Sequence, residues 1–418
     1  MNFYRPTWVE IDLNAFIHNF LVIKKKLHPV RNSVELTEET KSSGKEIKGS
    51  DISNGVKILA VVKADAYGHG AIPLVRKFLQ YGGDYLGVSS IEEGIILRRA
   101  GIPIPILILG SIYPYETFPQ IFEYNLTPTV ASLPVIEELN RLAKNYQSVS
   151  GRLPVHLKID TGMGRIGISP SLVSGLVKKI FNSNLILEGI YSHLASAALD
   201  LEYTSLQIDI LKKIKDELDK EGVIVPYYHI ANSAAFLRHP ESWEYFNLVR
   251  LGLLLYGLLP YKDARKDIEV KPVLSLKTKI VFLKKVPAGR KISYGGTFVT
   301  KRESWIATLP IGYADGYSRF LSNPCPSSPG DFGRRGGEVL VKGNRVPVIG
   351  RVTMDMIMVD LTDLISAGIP IEVGEEVVLI GEQGRGRITV EELAEKIGTI
   401  SYEIVCGLSK RLPRVYRE

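Results

Sequence analysis

Cysteine is scarce in this sequence, with only Cys325 and Cys406 among 418 residues. Two cysteines so far apart exclude a disulfide framework, and no cysteine–histidine spacing suggests a structural zinc site. No stretch approaches the run of about 18 apolar residues that would span a bilayer. The first residues show no apolar segment after a basic start, so no secretory signal is predicted. We therefore expect a soluble cytoplasmic protein.

Long runs of one charge are also missing. The chain has 52 Lys and Arg against 45 Asp and Glu, a formal net charge of +7. The excess is spread over short groups such as Lys24–Lys26. No basic stripe alternates with aromatic side chains, which makes nucleic-acid binding a poor hypothesis. The positive sign is compatible with an anionic substrate or cofactor.

The chain does have an ordinary globular composition, 45% hydrophobic and 23% charged, which allows a large core. Its first two thirds alternate apolar runs typical of buried strands with segments of helical periodicity. Strands joined by helices over about 250 residues favour an α/β fold with a closed (β/α)₈ barrel. The eight predicted strands are Lys57–Val62, Asp84–Val88, Ile104–Leu109, Leu126–Val130, Val155–Ile159, Leu185–Tyr191, Tyr227–Ile230 and Leu248–Leu255.

Beyond residue 260 the pattern changes to strand-like segments separated by Gly-rich turns. We predict a barrel domain over residues 1–260 and a mainly β domain over 261–418, which the strand at about residues 5–10 joins. The polar stretch 29–55 is predicted to be a loop or insertion, and 323–337 a surface loop. The segments predicted for the second domain are strands in Ser275–Val286, Trp305–Ile311, Arg345–Ile349 and Met356–Leu361, and a helix at Val390–Lys396.

Lys63 occupies a position where barrel enzymes place functional groups, just past the carboxyl end of a strand. It follows the first predicted barrel strand, in Ala-Val-Val-Lys-Ala-Asp-Ala-Tyr-Gly-His-Gly at residues 60–70. Apolar neighbours would desolvate its amine, lower its pKa and favour the neutral form that attacks an aldehyde. On position alone, a solvated lysine at a strand end is the commoner case.

A glycine-rich segment follows the fifth strand. Residues 162–167 contain Gly-x-Gly-x-x-Gly, and Glu188 lies roughly 20 residues beyond, which mimics a dinucleotide fingerprint. That fingerprint usually opens the first βα unit of a doubly wound domain, so a dinucleotide site is disfavoured. Two interpretations stay open: a tight glycine turn, or a loop that lets a ligand approach Arg165.

Other predicted strand ends also carry polar side chains. His193 follows the sixth strand and Ser233 the seventh, where a single histidine or serine is usually structural. Arg250 lies inside the otherwise apolar eighth strand and needs a partner. In the second domain, Tyr294 and Tyr313 stand beside glycines, which alone indicates only turns.

Together these segments resemble the bacterial alanine racemases, enzymes of fold type III that depend on pyridoxal 5′-phosphate (PLP), over nearly the whole chain from Arg5 onward. The resemblance rests on residues 60–70 and 156–167, with support from 229–235, 293–297 and 350–355. It implies a homodimer with shared active sites that interconverts L- and D-alanine. Such an isomerase supplies D-alanine for peptidoglycan of the cell wall.

The resemblance also implies roles for individual residues. Lys63 would hold PLP as a Schiff base and act as one base, and Tyr294 of the partner subunit would be the opposing base. Arg250 would bind the pyridine nitrogen, and His193 would lie against the ring. The phosphate would be held by Tyr67, Ser233, Tyr402 and the backbone N–H groups of Gly252 and Leu253.

The substrate side is implied in the same way. Arg165 would bind the ring's phenolic oxygen and contribute to the substrate site. Met354 and Tyr313 of the partner subunit would line the pocket for the substrate carboxylate, with Asp355 at the entrance. Lys158 corresponds to a position that is often carbamylated, and the added negative charge would orient Arg165.

These residue types suit racemisation. PLP acidifies the Cα–H bond of the substrate, and the proton must leave one face and return to the other, which needs two bases. Arginine stays protonated, so it cannot give the pyridine nitrogen a proton. Side reactions such as transamination are then disfavoured.

Three alternatives remain. A decarboxylase of the ornithine or diaminopimelate type shares the barrel and the lysine, but places an acid rather than Arg250 against the pyridine nitrogen. Racemases for serine or for broader substrates differ in pocket shape, which the sequence does not define. A non-catalytic PLP-binding protein of the single-barrel type would lack both the β domain and Tyr294.

Overall fold

A computed structural model describes residues 4–28, 55–150, 152–323 and 336–418 of this chain. Residues 29–54 and 324–335, nearly all of the two segments predicted as loops, lie outside the described residues. Strand β1 (Thr7–Asp12) leads into helix α1 (Leu13–Leu27). The helix begins where the Asp12 carboxylate accepts a hydrogen bond from the Ala15 N–H over 2.8 Å, which satisfies one of the unpaired donors of the first turn.

Eight parallel strands then form a nearly closed barrel within the described residues. The first seven pair in chain order, each with the next, and the first also pairs with the last, where Leu59 lies opposite Arg250. The remaining gap is bridged by hydrogen bonds from the Asn247 N–H to the Tyr228 carbonyl and from the Arg250 N–H to the Ala231 carbonyl. The predicted barrel is thus confirmed. Its strands are β2 (Lys57–Val61), β3 (Tyr85–Val88), β4 (Ile106–Ile108), β5 (Thr127–Val130), β6 (Leu153–Lys158), β7 (Leu185–Tyr191), β8 (Tyr227–His229) and β9 (Leu248–Leu251).

The barrel is surrounded by helices that bury their apolar faces against the strands. One of them buries Leu74, Val75 and Phe78 completely. The helical segments are α2 (Lys63–Tyr67), whose last four residues have a left-handed backbone, α3 (Ala71–Gln80), α4 (Ile91–Arg99), α5 (Pro119–Glu123), α6 (Leu133–Ser150), α7 (Val173–Phe181), α8 (Leu201–Lys220), α9 (Ser233–Arg238) and α10 (Glu241–Glu244).

The predicted end of the eighth strand is wrong. The strand stops at Leu251 rather than Leu255, because Gly252 has φ −123° and ψ −82°, which lie outside the extended region. Leu253–Tyr256 then form a 3₁₀ turn that is entirely buried. A short apolar run does not distinguish a strand from a buried helical turn, which explains the error.

The second domain is built on a ten-stranded sheet, counted over the described residues. The predicted strand-like segment Ser275–Val286 is two strands, which pair with different neighbours. The elements are β10 (Leu274–Lys279), β11 (Phe282–Val286), β12 (Lys291–Ile292), β13 (Phe298–Val299), β14 (Ser304–Leu309), β15 (Glu338–Val341), β16 (Asn344–Ile349), β17 (Ile357–Asp360), α11 (Thr362–Ser366), β18 (Glu376–Gln383), β19 (Gly386–Ile388), α12 (Val390–Ile397), α13 (Ser401–Cys406) and β20 (Arg414–Arg417).

The two ends of the chain meet in this sheet. Strand β1 lies between β10, which runs antiparallel to it, and β20, which runs parallel. Val9 is opposite Leu276 on one side and Arg414 on the other. Helix α13 returns to the mouth of the barrel, where the rings of Tyr402 and Tyr67 lie 5.7 Å apart. The second domain therefore covers part of the carboxyl end of the barrel.

Candidate active site

A cavity of about 610 Å³ lies at the carboxyl ends of the barrel strands. It is the place where functional groups of this fold collect. The predicted residues that line it are Lys63, Tyr67, Lys158, Arg165, His193, Ser233, Arg250, Gly252, Leu253 and Tyr402. The sequence interpretation assigned no role to the other lining residues, Val61, Ser89, Leu109, Gly110, Ile166, Tyr191, Asn232 and Ile400.

The backbone that follows Lys63 at this cavity has an unusual conformation. The four residues after it, Ala64–Tyr67, all have φ between 52° and 55°, so they form a left-handed turn without any glycine. Each such residue costs about 1–2 kcal/mol relative to the right-handed conformation. The turn persists because its neighbours hold it: the Ala64 N–H donates to Glu93 Oε1 over 2.6 Å, and Asp65 Oδ1 accepts from the Ala71 N–H over 2.8 Å.

Lys63 has the electrostatic character expected of a reactive amine. Burial lowers its pKa, and the positive charge of Arg165 lowers it further, while Glu93 acts in the opposite direction. The neutral form is thereby favoured over what a solvated lysine would show. A lowered pKa is what a lysine that attacks an aldehyde requires.

A cradle for an anion lies beside Lys63. The N–H groups of Gly252 and Leu254 are 3.4 and 3.5 Å from Ser233 Oγ, at the long limit of hydrogen bonding. These donors are therefore weakly paired within the protein. A Cβ at position 252 would meet the Tyr67 hydroxyl oxygen at 2.7 Å, so only glycine leaves the backbone open here. Converging backbone N–H groups of this kind suit a phosphate.

Arg250 is the buried charge of the site. It is 4% exposed, and burial lowers its pKa to about 10. Its Nη1 donates to His229 Nδ1 over 2.7 Å, and its Nη2 donates to the carbonyls of Ser192 and Ile230 over 2.7 and 3.1 Å. These partners fix the guanidinium against the cavity wall. His193 Nδ1 lies 3.2 Å from the same Nη2.

Lys158 is a second lysine of the cavity whose pKa is lowered. Burial, together with the charges of Arg250, Arg165 and Lys63, lowers its pKa to about 8. Its Nζ lies 5.2 Å from the centre of the Tyr191 ring. At a given pH, a larger fraction of this amine is therefore neutral than in a solvated lysine.

Four predicted residues do not reach the cavity of their own chain. Tyr294, Tyr313, Met354 and Asp355 belong to the second domain, and all four are exposed. The Tyr313 N–H donates to the Thr353 carbonyl over 3.0 Å, so the segments that carry Tyr313 and Met354 lie side by side. Tyr294 is the most open of them at 75% exposure.

The glycine-rich segment does not build a dinucleotide site. Residues 162–167 form a loop rather than opening a helix, and an isolated bridge between Ile159 and Ile168 closes that loop. Glu188, the acid that would bind a ribose, lies within β7 and contacts His156 and Tyr85. The loop instead brings Arg165 to the cavity.

Buried histidines behind Arg250 are the group that the sequence interpretation missed. His156 and His229 are both fully buried and hydrogen-bond to each other over 2.9 Å. A signal existed in the sequence, because both interrupt apolar strands and Gly189 stands opposite His156. A Cβ on Gly189 would lie 2.4 Å from His156 Nδ1.

The fold and the site together define a class of protein: a two-domain barrel enzyme in which a lysine of lowered pKa adjoins an anion cradle and a buried arginine. Family models described as "Alanine racemase, N-terminal domain" and "Alanine racemase, C-terminal domain" match residues 46–260 and 273–416. An alanine racemase of Halothermothrix orenii is 46% identical over 99% of this chain and 97% of the relative. The chain belongs to the alanine racemase family.

Solved structures agree with this assignment. The alanine racemase of Clostridium difficile 630 superposes with a TM-score of 0.83 at 37% identity, covering 100% of this chain and 97% of that one. The enzyme of Bartonella henselae, solved with covalently bound pyridoxal phosphate, gives a TM-score of 0.78 at 27% identity, covering 99% of both chains. The resemblance stated from the sequence is thus confirmed. Among the described helices, none is long and apolar enough to cross a membrane.

Proposed function

We propose that this protein is a PLP-dependent alanine racemase that interconverts L- and D-alanine and supplies D-alanine for peptidoglycan. The observation that carries the proposal is the cavity in which Lys63, Arg250 and the cradle around Gly252 meet. Membership of the family supports the reaction, and the cavity supports the cofactor. The active form is a homodimer, because the second base is absent from the cavity of a single chain.

The residues of the cavity fit PLP. The backbone N–H groups of Gly252 and Leu253, with the hydroxyls of Ser233, Tyr67 and Tyr402, would hold the phosphate, and all five residues line the cavity. Lys63 would attach the aldehyde carbon. When bound, PLP supplies an electron sink that makes the Cα proton of an amino acid acidic.

Arg250 would bind the pyridine nitrogen. The charged guanidinium can only donate, and its contacts to His229 and two carbonyls keep it in place. Because the guanidinium would always donate at this position, the pyridine nitrogen would accept its hydrogen bond and stay unprotonated. The reaction is then limited to moving the Cα proton, as racemisation requires. No Asp or Glu occurs among the described residues that line the cavity, which argues against a decarboxylase.

Lys63 would move the proton on one face of the substrate. Burial lowers the pKa of its amine, so the neutral form, which can accept a proton, is more accessible than in a solvated lysine. Arg165 would bind the phenolic oxygen of the ring, and His193 would lie against the ring. Lys158 would carry a carbamate, since its neutral fraction can take up carbon dioxide and the resulting anion would face Arg250 and Arg165.

Tyr294 of the partner subunit would serve the opposite face. Its phenol is open to a second copy, as are Tyr313 and Met354, which would line the pocket for the substrate carboxylate, and Asp355 at the entrance. A two-fold symmetric dimer would place these groups of each chain at the cavity of the other.

The decisive experiment is a racemisation assay of L- and D-alanine against a panel that includes serine, ornithine and diaminopimelate. We expect alanine to be converted with the largest kcat/KM, in both directions. Carbon dioxide release from ornithine or diaminopimelate, with no racemisation of alanine, would overturn the proposal. Faster conversion of serine than of alanine would show that serine, and not alanine, is the preferred substrate.

A further inference from the structure

A continuous chain of hydrogen bonds runs from Arg250 away from the cavity, through residues that the proposed reaction does not use. Arg250 Nη1 is 2.7 Å from His229 Nδ1, and His229 Nε2 is 2.9 Å from His156 Nδ1. His156 Nε2 is 3.1 Å from Glu188 Oε2, which also accepts from the Tyr85 hydroxyl over 2.7 Å. None of His229, His156 and Glu188 lines the cavity.

The two ends of this hydrogen-bond chain determine which nitrogen of each histidine ring carries the proton. Arginine only donates, so His229 Nδ1 must accept, and a neutral His229 then carries its proton on Nε2. That proton is donated to His156 Nδ1, which leaves the His156 proton on Nε2 to be donated to the Glu188 carboxylate. The acceptor roles of His229 Nδ1 and His156 Nδ1 require both rings to be neutral. Burial lowers the pKa of each imidazole, and the positive charge of Arg250 acts in the same direction, while Glu188 raises the pKa of His156. One arrangement alone satisfies all three bonds.

The hydrogen-bond chain also connects the positive charge of Arg250 with the negative charge of Glu188, which do not contact each other directly. No carboxylate forms an ion pair with Arg250 in the part of the protein that the structure describes. Glu188 is the only acid to which the guanidinium is connected through these bonds, and its own side chain is 22% exposed. Chains of buried hydrogen bonds polarise one another, so a carboxylate at one end strengthens the bond at the other.

We propose that Glu188 is a positioning residue for Arg250, acting through His156 and His229 to fix the direction and strength of the hydrogen bond at Nη1. Its effect on the cofactor rests on the proposed function, in which Arg250 binds the pyridine nitrogen. The hydrogen-bond chain itself does not depend on which amino acid is racemised.

The test uses holoenzyme labelled with ¹⁵N-histidine. Proton–nitrogen spectra should show ring N–H signals of His156 and His229 that are protected from solvent and lie on Nε2 in both rings. Glu188→Gln keeps the shape and an acceptor but removes the charge, so both signals should shift. We expect kcat for alanine to fall about tenfold at unchanged KM, the size of effect seen when an outer partner of a metal ligand is removed. The visible absorption of the lysine-bound cofactor should shift as well.

Asp84→Asn is the matched control, because this carboxylate lies in the barrel but contacts Lys57 and the Ile58 N–H rather than the chain. It should leave the histidine signals and kcat unchanged. An unshifted His229 signal in Glu188→Gln, or equal effects of both substitutions, would overturn the proposal.

A double-mutant cycle tests the route. In a His156→Leu background, Glu188→Gln should no longer change the cofactor absorption, since the connection is already broken. An undiminished change would overturn the route through His156. If His156→Leu does not fold, the spectra of Glu188→Gln decide alone. Histidine signals that respond in a protein without racemase activity would instead count against the proposed function only.

Discussion

A Cβ added to Gly252 would lie 2.7 Å from the hydroxyl oxygen of Tyr67, although the two residues are far apart in sequence. The glycine follows the last barrel strand, and the tyrosine ends the left-handed turn after the first. Since these strands pair with each other, this close approach lies where the first barrel strand in the chain meets the last.

Gly252→Ala should weaken PLP binding because the methyl group would displace Tyr67 and narrow the phosphate cradle. Overpacking of this kind costs about 1–3 kcal/mol, so we expect the Kd for PLP to rise roughly tenfold or more. Titration of the apoprotein with PLP, followed by visible absorption, measures this. Gly175→Ala is the control, since a Cβ there meets no atom within 4 Å. An unchanged Kd for Gly252→Ala would show that the backbone around Gly252 does not bind the phosphate.

Lys63→Ala should abolish the violet absorption band of the lysine-bound cofactor, because no amine remains to attach it. Free PLP should still bind weakly in the cradle. Lys158→Ala is the comparison, since its amine is in the same cavity and should leave the band in place. Retention of the band in Lys63→Ala would refute the attachment site.

Tyr294→Phe should spare PLP binding and remove one of the two proton transfers. The rate of racemisation should fall by a factor of about 10²–10⁴. The factor should be the same in both directions, because an enzyme does not change the equilibrium constant between the enantiomers. Exchange of the Cα proton with D₂O, measured by NMR on recovered alanine, should persist for the enantiomer that faces Lys63. Exchange that is lost equally for both enantiomers, or for neither, would contradict the two-base scheme.

Mixed dimers test the sharing of sites. A dimer of one Lys63→Ala chain and one Tyr294→Phe chain would carry one site with both changes and one site with neither. Two inactive variants that are co-expressed should therefore recover about a quarter of the normal activity. No recovery, or full activity in a strictly monomeric preparation, would exclude sites built from two chains.

Lys158 should take up carbon dioxide. Incubation with ¹³C-bicarbonate should give a carbamate signal in the ¹³C spectrum that grows as the pH rises through about 8, where the amine loses its proton. Lys158→Arg, which cannot form the carbamate, should lack the signal and show weaker activity. A signal of equal size in Lys158→Arg would place the carbamate elsewhere.

The sequence predicted the barrel well because its strands are short apolar runs in regular alternation with helices, from Lys57 to Leu251. Position and motif also sufficed to mark Lys63 and Arg250, which lie together in the cavity. The left-handed turn at Ala64–Tyr67 was not predictable, since nothing in the propensities of Ala, Asp or Tyr favours positive φ over four residues.

The histidines behind Arg250 escaped prediction for a different reason. His156, Glu188 and His229 come from three successive strands, and each alone resembles a structural residue. Only the register of β6, β7 and β8 brings them into one line. Likewise, the exposed position of Tyr294 follows from tertiary packing and has no signal in the local sequence.

The place of β1 between β10 and β20 has a consequence for biosynthesis. In chain order, β1 precedes the whole barrel, whereas its two neighbours, β10 and β20, follow it. The barrel can fold while the chain is still being made, but the edges of β1 stay unpaired until β10 and β20 have been synthesised. Pairing of β20 with β1 is therefore the step that completes the sheet of the second domain.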